Sequence, residues 1–490
     1  MISESRRLKV LGKSDIEAIH GATLEVLERV GVRFESREAL GILERNGFEI
    51  DWKTKIARMR ERAVLDAVNS CRPNFRWHAR SEKHSFDAVD GRTKFGPGAQ
   101  CLYIMDSDSG QVRQTALSDG IAAARLLDAL DTSSLGYVPI YPFDVPQESV
   151  SAVMWLAGLA NSSKPAYGGW GDEKEFELML RIADILLGDR ELLRKKHMFP
   201  AYIDPISPLG HDDLMMRTLI QYAEWDMPVF VMAMALAGGT APASLAGLLV
   251  QQNAEILSAA VVAKCVTKNP KIVYGSVSCP LDMRSGVSAT GSPEFSLLGV
   301  GSVQMAKHYN LPSDMGVQSD SKAVDAQTAY EKSQAAVMAV MSGADFAELF
   351  LGSTEAFSTF SFSQLMIDDE IASNALRLAQ GIDVNEETLS LDIIEKTGPL
   401  GNYLKHPRTL TQFRREHSLA KLSDRATRQQ WSAAGNTDVR ERANARVSRL
   451  LSTHVPDPLE PHQAVRFEEL LKDYAKGYDL KSLTQVSLKR

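Results

Sequence analysis

Cysteine is scarce and scattered. Cys71, Cys101, Cys265 and Cys279 are the only four in 490 residues, and no two form a CxxC pair. That argues against a disulfide scaffold and against thiolate ligands at zinc spacing. The ten histidines contain no HxxH or HxxxH pair. His197, His211 and His406 remain isolated acid–base candidates, for which a structural role is the commoner one. No excess of positive charge exists: 55 Lys and Arg face 62 Asp and Glu, for a net charge of -7. A nucleic-acid partner, which needs clustered bases, is therefore not expected, whereas the overall field favours a cationic ligand. The N-terminal MISESRRLKV lacks the apolar core of a signal peptide. No run of about 18 apolar residues stands out, so no membrane span is expected and a cytoplasmic location is. The longest apolar stretch, near Pro228–Ala237, suits a buried strand. Neither a Walker loop nor a GxSxG elbow is present, and Gly299-Val300-Gly301 lacks dinucleotide spacing. Gly238-Gly239-Thr240 reads equally as an anion-binding helix start or as a plain turn.

What is present is an ordinary globular balance, 44% hydrophobic and 24% charged, with a regular alternation. Helical spacing marks the first 75 residues, from Ser14 onward and over Glu38–Asn46 and Arg60–Ser70. Short extended pieces follow at Ser85–Val89, Thr93–Phe95, Leu102–Met105 and Gln111–Thr115. Strands are then predicted at Gly136–Tyr141, Pro165–Trp170, Met198–Ile203, Pro228–Met234, Lys271–Val277, Ser313–Val317 and Phe346–Leu351. Helical segments separate them, among them Val150–Leu159, Asp212–Trp225, Ser244–Val266 and Ala326–Met341. Strands joined by long crossovers pair in parallel. With Leu102–Met105 as the first strand, the pattern predicts an α/β fold: an eight-stranded (β/α)8 TIM-type barrel with N-terminal and C-terminal helical additions. A doubly wound open sheet is the alternative. The expected division is an N-terminal helical and β cap over 1–90, the barrel over 91–385 and a C-terminal helical extension over 386–490, with amphipathic helices at Asp438–Leu451 and Gln463–Tyr474.

A barrel of this kind carries its site at the C-terminal ends of its strands. There the sequence places Tyr141, Tyr167-Gly168-Gly169-Trp170, Tyr202-Ile203-Asp204, Tyr274, Gln318-Ser319-Asp320-Ser321-Lys322 and Glu355, followed by Phe357 and Phe360. Aromatics are only 7% of the chain, yet they recur at these ends beside carboxylates. Ring faces with a carboxylate are a means of holding a quaternary ammonium ion. The competing explanation is that bulky residues fill a packed barrel interior. Glycines at 168 and 169 would let a ligand approach the backbone.

Several stretches resemble the trimethylamine:corrinoid methyltransferase family: PAYGGW at 165–170, GGTAPASLAGLLVQQNAE at 238–255, Tyr274-Gly275-Ser276, GVQSDSKAVDAQTAYEK at 316–332, Ile367-Asp368-Asp369-Glu370 and the stretch 398–416. The likeness spans nearly the whole chain. Founding members of that family contain pyrrolysine, whereas this chain has only the twenty standard residues, so it resembles the pyrrolysine-free, glycine betaine methyltransferase-like branch. The resemblance implies a barrel and transfer of a methyl group from a quaternary amine, glycine betaine or a related betaine, to the cobalt(I) of a corrinoid (cobalamin). A partner protein would carry that corrinoid, or it would be free, with no bound metal and with assembly as a homo-oligomer. It assigns catalytic roles to Asp320, Glu355 and Ser319. Substrate contacts fall to Tyr141, Tyr167, Trp170, Asp204, Tyr274, Gln318, Lys322, Phe357 and Phe360, with Lys322 pairing a betaine carboxylate. The pyrrolysine equivalent is expected around Ser319–Lys322. Two rivals are a quaternary-amine-binding barrel without methyl transfer and a Schiff-base lyase or aldolase using Lys322.

Overall fold

The computed structural model describes residues 6–98, 100–106, 109–169 and 172–485. Its centre is a six-stranded parallel sheet: β1 Lys94–Pro97, β2 Ala201–Ile203, β3 Val229–Ala233, β4 Ile272–Ser276, β5 Ser313–Met315 and β6 Phe346–Leu351. The strands lie in the order β1-β6-β5-β4-β3-β2. Every pair is parallel, in registers that include Val231↔Tyr274, Tyr274↔Ser313, Asp314↔Phe346 and Ala347↔Phe95. The crossovers are helical: α1 Val150–Asn161, α2 Glu173–Leu187, α3 Asp213–Glu224, α4 Leu245–Val266, α5 Pro293–His308, α6 Ala326–Ser342 and α7 Phe362–Gln380.

The expected first strand is corrected. Residues Tyr103–Met105 pair with Val112–Gln114 and Thr359–Phe360 in a separate four-stranded sheet. The place beside β6 belongs to Lys94–Pro97. That strand is short, and its lysine disguises it, although all four residues are buried. The Lys94 ammonium is satisfied by the Ala88 carbonyl at 2.9 Å and the Asp90 carboxylate at 2.5 Å. Two other predicted strands, Gly136–Tyr141 and Pro165–Trp170, are extended but not laddered within their described residues. Scattered backbone bonds hold them: Ser134 N to Phe95 O, Gly136 N to Pro165 O and Gly168 N to Pro200 O, each 2.9 Å, and an isolated bridge in which Cys101 N donates to Pro139 O at 2.9 Å and Tyr141 N to Cys101 O at 3.0 Å. Pro139, Pro142 and Pro165 supply no N–H, which limits a regular ladder there.

Alternation along each strand sorts inside from outside. Phe230 on β3, Val273 on β4 and Phe346 on β6 form an inner cluster with Trp77. Outward, the Tyr274 hydroxyl lies 3.3 Å from Asn253 Oδ1, and Ser276 donates to Gln252 Oε1 at 2.7 Å, both on α4. Trp77 closes the floor, its ring 5.6 Å from Phe230 and 6.0 Å from Phe346, with Nε1 donating to the Met198 carbonyl. It sits on a two-stranded hairpin, Arg76–Trp77 with Phe86–Asp87. N-terminal helices Lys13–Glu25 and Glu61–Ser70 pack on α4, and the C-terminal helices Val439–Thr453 and Pro461–Tyr474 pack on α7 and on α1 and α2.

Among the described residues one helix, α4, is long and apolar enough to cross a membrane. Its polar residues Gln252, Asn253, Glu255 and Ser258 are instead buried and hydrogen-bonded within the fold, the arrangement of a central core helix.

Candidate active site

A cavity of about 520 Å³ opens at the C-terminal ends of β2, β3, β4 and β6. It spreads sideways where the wall is irregular, between the segment carrying Tyr137 and Val138, the segment Ala166–Gly169, and the α1 face formed by Met154, Trp155 and Gly158. Gly158 lets that helix close in: a Cβ there would lie 3.5 Å from the Tyr137 backbone.

One fully buried carboxyl, Glu348, lines the interior, and a second, Asp314, lies buried beside it without being a lining residue. Glu348 lies in β6 and Asp314 in β5, both almost wholly buried. The β6 register shifts between Ala347 and Leu351, and Leu349 has a φ of 58°. This bulge breaks the alternation, so consecutive residues Glu348 and Leu349 both line the cavity. Gly96 on β1 makes the room, because a Cβ there would meet Glu348 Cγ at 3.0 Å. The Tyr167 hydroxyl donates to Glu348 Oε1. The Tyr202 hydroxyl donates to Asp314 Oδ2 at 3.1 Å, while Asp314 Oδ1 has no hydrogen-bond partner. The rings of Tyr167 and Tyr202 meet edge to face at 5.1 Å, and Tyr137 meets Tyr167 at 5.9 Å.

Burial disfavours the charged forms. Desolvation, reinforced by Asp314, holds Glu348 well above the usual carboxylate range. Desolvation also pushes Asp314 up to about 7, against the opposing hydrogen bond from Tyr202. Asp204 lines the mouth beyond β2. It is solvent-accessible, yet its position in the recess desolvates it, and with the nearby Asp212 charge this raises it to about 6. Elsewhere, buried carboxylates face cations or several donors. Lys332 lies 2.8 Å from Asp368, Arg446 2.6 Å from Asp369 and His454 2.7 Å from Asp128, while Glu255 accepts from Ser207, Leu209 and Gln251.

The expected residues divide. Tyr167, Asp204 and Phe357 line the cavity. Trp170 lies outside the described residues. Tyr141 packs edge-on against Phe143 at 5.2 Å and is not among the lining residues. Tyr274 is fully buried toward α4, and Phe360 is buried against Phe362. Gln318 donates to the Leu349 carbonyl and to Ser353 Oγ. Ser319 donates to Glu331 at 2.6 Å. Asp320 accepts from Thr290 N, Thr290 Oγ1 and Gly291 N, at 2.9, 2.7 and 2.9 Å. Lys322 is exposed, with Nζ on the Asp320 carbonyl at 2.7 Å. Glu355 accepts from Thr359 Oγ1 at 2.8 Å. These last residues brace a turn: Glu355, Ala356 and Phe357 all have positive φ, between 48° and 75°, held by Glu355 N to Ser321 O and Ala356 N to Ser319 O. The turn delivers Phe357 to the cavity.

The glycines at 168 and 169 answer to packing. A Cβ on Gly168 would lie 2.1 Å from the Tyr222 hydroxyl, and one on Gly169 would lie 2.9 Å from the Trp155 ring. His197 and His211 are buried and pushed down to about 4 by desolvation, so both are neutral structural groups at neutral pH. Missing from the sequence reading are Glu348 and Asp314. The signal was available: a carboxylate inside FAELFL and another inside SDM are costly in buried strands unless they serve a purpose. Among the described residues no group of three or more His, Cys, Asp or Glu side chains could hold a metal ion.

Residues 1–477 match the family model described as trimethylamine methyltransferase (MTTB). The chain is 32% identical over 472 residues to a glycine betaine methyltransferase of Desulfitobacterium hafniense, covering 96% of this chain and 98% of that one. It is also 32% identical over 466 residues to the trimethylamine methyltransferase MttB1 of Methanosarcina acetivorans, covering 92% of each. In fold it is similar to the monomethylamine methyltransferase MtmB of Methanosarcina barkeri, with a TM-score of 0.50 over 93% of this chain and 90% of that one at 12% identity.

Proposed function

Because this chain belongs to the trimethylamine methyltransferase family, we propose that it is an enzyme that removes a methyl group from a quaternary amine bound in the cavity and passes it to a corrinoid. The observation that carries this reading is the buried carboxyl Glu348 lining the cavity, with the buried carboxyl Asp314 beside it, set among the rings of Tyr137, Tyr167 and Tyr202 and with no basic side chain among the described lining residues. Such a pair is matched by a cation brought from outside, and the ring faces add cation–π attraction.

A corrinoid, carried by a partner protein, supplies the cobalt(I) nucleophile that accepts the methyl group. The cavity mouth fits such a partner. Leu102, Phe143, Ile206, Met234, Met283 and Val287 are exposed apolar residues, and each lies in a loop that follows β1, β2, β3, β4 or the 136–141 segment. Exposed apolar side chains clustered on loops at the mouth of a recess are the character of a docking surface. Within the recess this chain's residues bind and orient. Tyr167 and Tyr202 hold the two carboxyls at fixed positions, and Phe357, Phe199 and Trp155 exclude water from the N-methyl groups. The C–N bond breaks with its electron pair left on nitrogen, so the positive charge facing Glu348 disappears and a neutral amine departs. A quaternary nitrogen needs no proton for that step.

In this reading residues 91–385 form the methyltransferase core. The 133–140 and 165–169 segments complete an eight-stranded barrel, supported by the backbone bonds that span from Phe95 to Pro200. Lys322, exposed and outside the cavity, offers no basis for Schiff-base chemistry. The test is a panel of methylated amines assayed with cobalt(I) cobalamin as acceptor, followed by absorbance. Methylation by at least one quaternary amine is expected; no methylation by any member of the panel would refute the proposal.

A further inference from the structure

We infer that the substrate is a quaternary ammonium compound without a carboxylate, a net cation, and that betaines are poor substrates. The inference rests on the function proposed above and replaces the betaine expected from the sequence. Among its described lining residues the cavity contains Glu175, Asp204 and Glu348 and no lysine, arginine or histidine. The base expected to receive a betaine carboxylate, Lys322, lies elsewhere, exposed and bonded to a backbone carbonyl.

Hydroxyl donors do not fill the gap, because they are already committed. Tyr167 donates to Glu348, Tyr202 to Asp314, Ser151 to Glu175 and Tyr137 to the Pro97 carbonyl. A betaine places its carboxylate a few bonds from nitrogen. In a recess of about 520 Å³ that group sits beside the acids that attract the cationic end. It would meet like charge, with the Gln100 amide a neutral donor and no cation to pair with among the described lining residues, a combination that disfavours a ligand. A net cation meets only attraction. The chain does supply bases to buried acids where its own structure needs them, as at Asp368 and Asp369.

The experiment uses the full chain with cobalt(I) cobalamin and four probes: tetramethylammonium, propyltrimethylammonium, glycine betaine and the methyl ester of glycine betaine. The ester keeps the shape of glycine betaine and removes the negative charge. We expect the ester to exceed glycine betaine in kcat/KM by at least about 100-fold, the size of a like-charge clash in a desolvated site. Glycine betaine at parity with its ester, or better, overturns the inference while leaving the methyltransferase reading intact. If no probe yields methyl transfer, calorimetric binding decides: tetramethylammonium bound and glycine betaine not bound upholds the cation selectivity, and the reverse, or no binding of either, overturns it. In Glu348→Gln the ester-to-betaine ratio should fall at least tenfold; an unchanged ratio counts against Glu348 as its source.

Discussion

At the scale of the residue, the chemistry turns on acids that are expensive to bury. Glu348 and Asp314 are each raised by desolvation, and Asp314 raises Glu348 further. A bound cation would draw Glu348 toward its ionised form. Replacing Glu348 by the isosteric glutamine removes that option while keeping the shape. Initial rates of cobalamin methylation should fall by roughly 30- to 1,000-fold, the worth of a desolvated charge pair. The thermal midpoint should stay near wild type, because glutamine keeps the shape and an oxygen that can accept from Tyr167. A variant with full activity would remove Glu348 from the mechanism. The same groups set a pH dependence. A carboxyl is anionic above its pKa, the lining acids Glu348 and Asp204 are both raised by desolvation, Asp204 to about 6, and a quaternary ammonium does not titrate. Affinity for tetramethylammonium should rise from pH 5.5 to 8, at about tenfold per unit for each proton displaced in the acid limb. Binding that is flat across that range would mean that the cation does not engage these carboxyls.

At the scale of the element, irregularity makes the site. The β6 bulge turns two successive side chains to one face, and proline-rich extended segments leave a gap in the wall where α1 meets the cavity. Regular strands would have alternated and closed that space. Around it the frame is stiffened by a fully buried pair on adjacent helices: Lys332 on α6 with Asp368 on α7, the latter also accepting from Gly352 N and Gln364 Nε2 at 2.8 and 2.7 Å. Lys332→Met leaves that carboxylate without its cation and should cost about 3–5 kcal/mol in urea unfolding, whereas Lys332→Met combined with Asp368→Leu should recover most of the loss. A single variant as stable as wild type would show that the pair contributes little.

At the scale of the whole molecule, the floor is closed by Trp77 and its hairpin and the mouth is open, ringed by exposed apolar side chains. If that ring receives a corrinoid protein, Met283→Glu and Phe143→Asp should slow transfer to the carrier by tenfold or more and leave transfer to free cobalamin unchanged. Equal slowing of both reactions would place the effect in the cavity. Much of this architecture was legible in the chain. Strand–helix alternation located β2 to β6 and their crossovers, because a strand buried on both sides between long amphipathic segments has few other readings, and the PAYGGW and GVQSDSK stretches pointed to the family. The first strand of the central sheet was visible as the extended piece Thr93–Phe95, but four residues with a lysine carry no periodicity that would assign it to that sheet. Two wall segments escaped as strands because local extension does not reveal a missing ladder. Composition alone determined that the chain is acidic and globular, and its strand–helix alternation that it is α/β. Only the tertiary structure decided which acids face the cavity, because a side chain's direction depends on register and bulges. It turned Asp320 into a loop brace and Tyr274 toward a helix, and it brought Glu348, Asp314, Tyr167 and Tyr202 together from four separate stretches of chain.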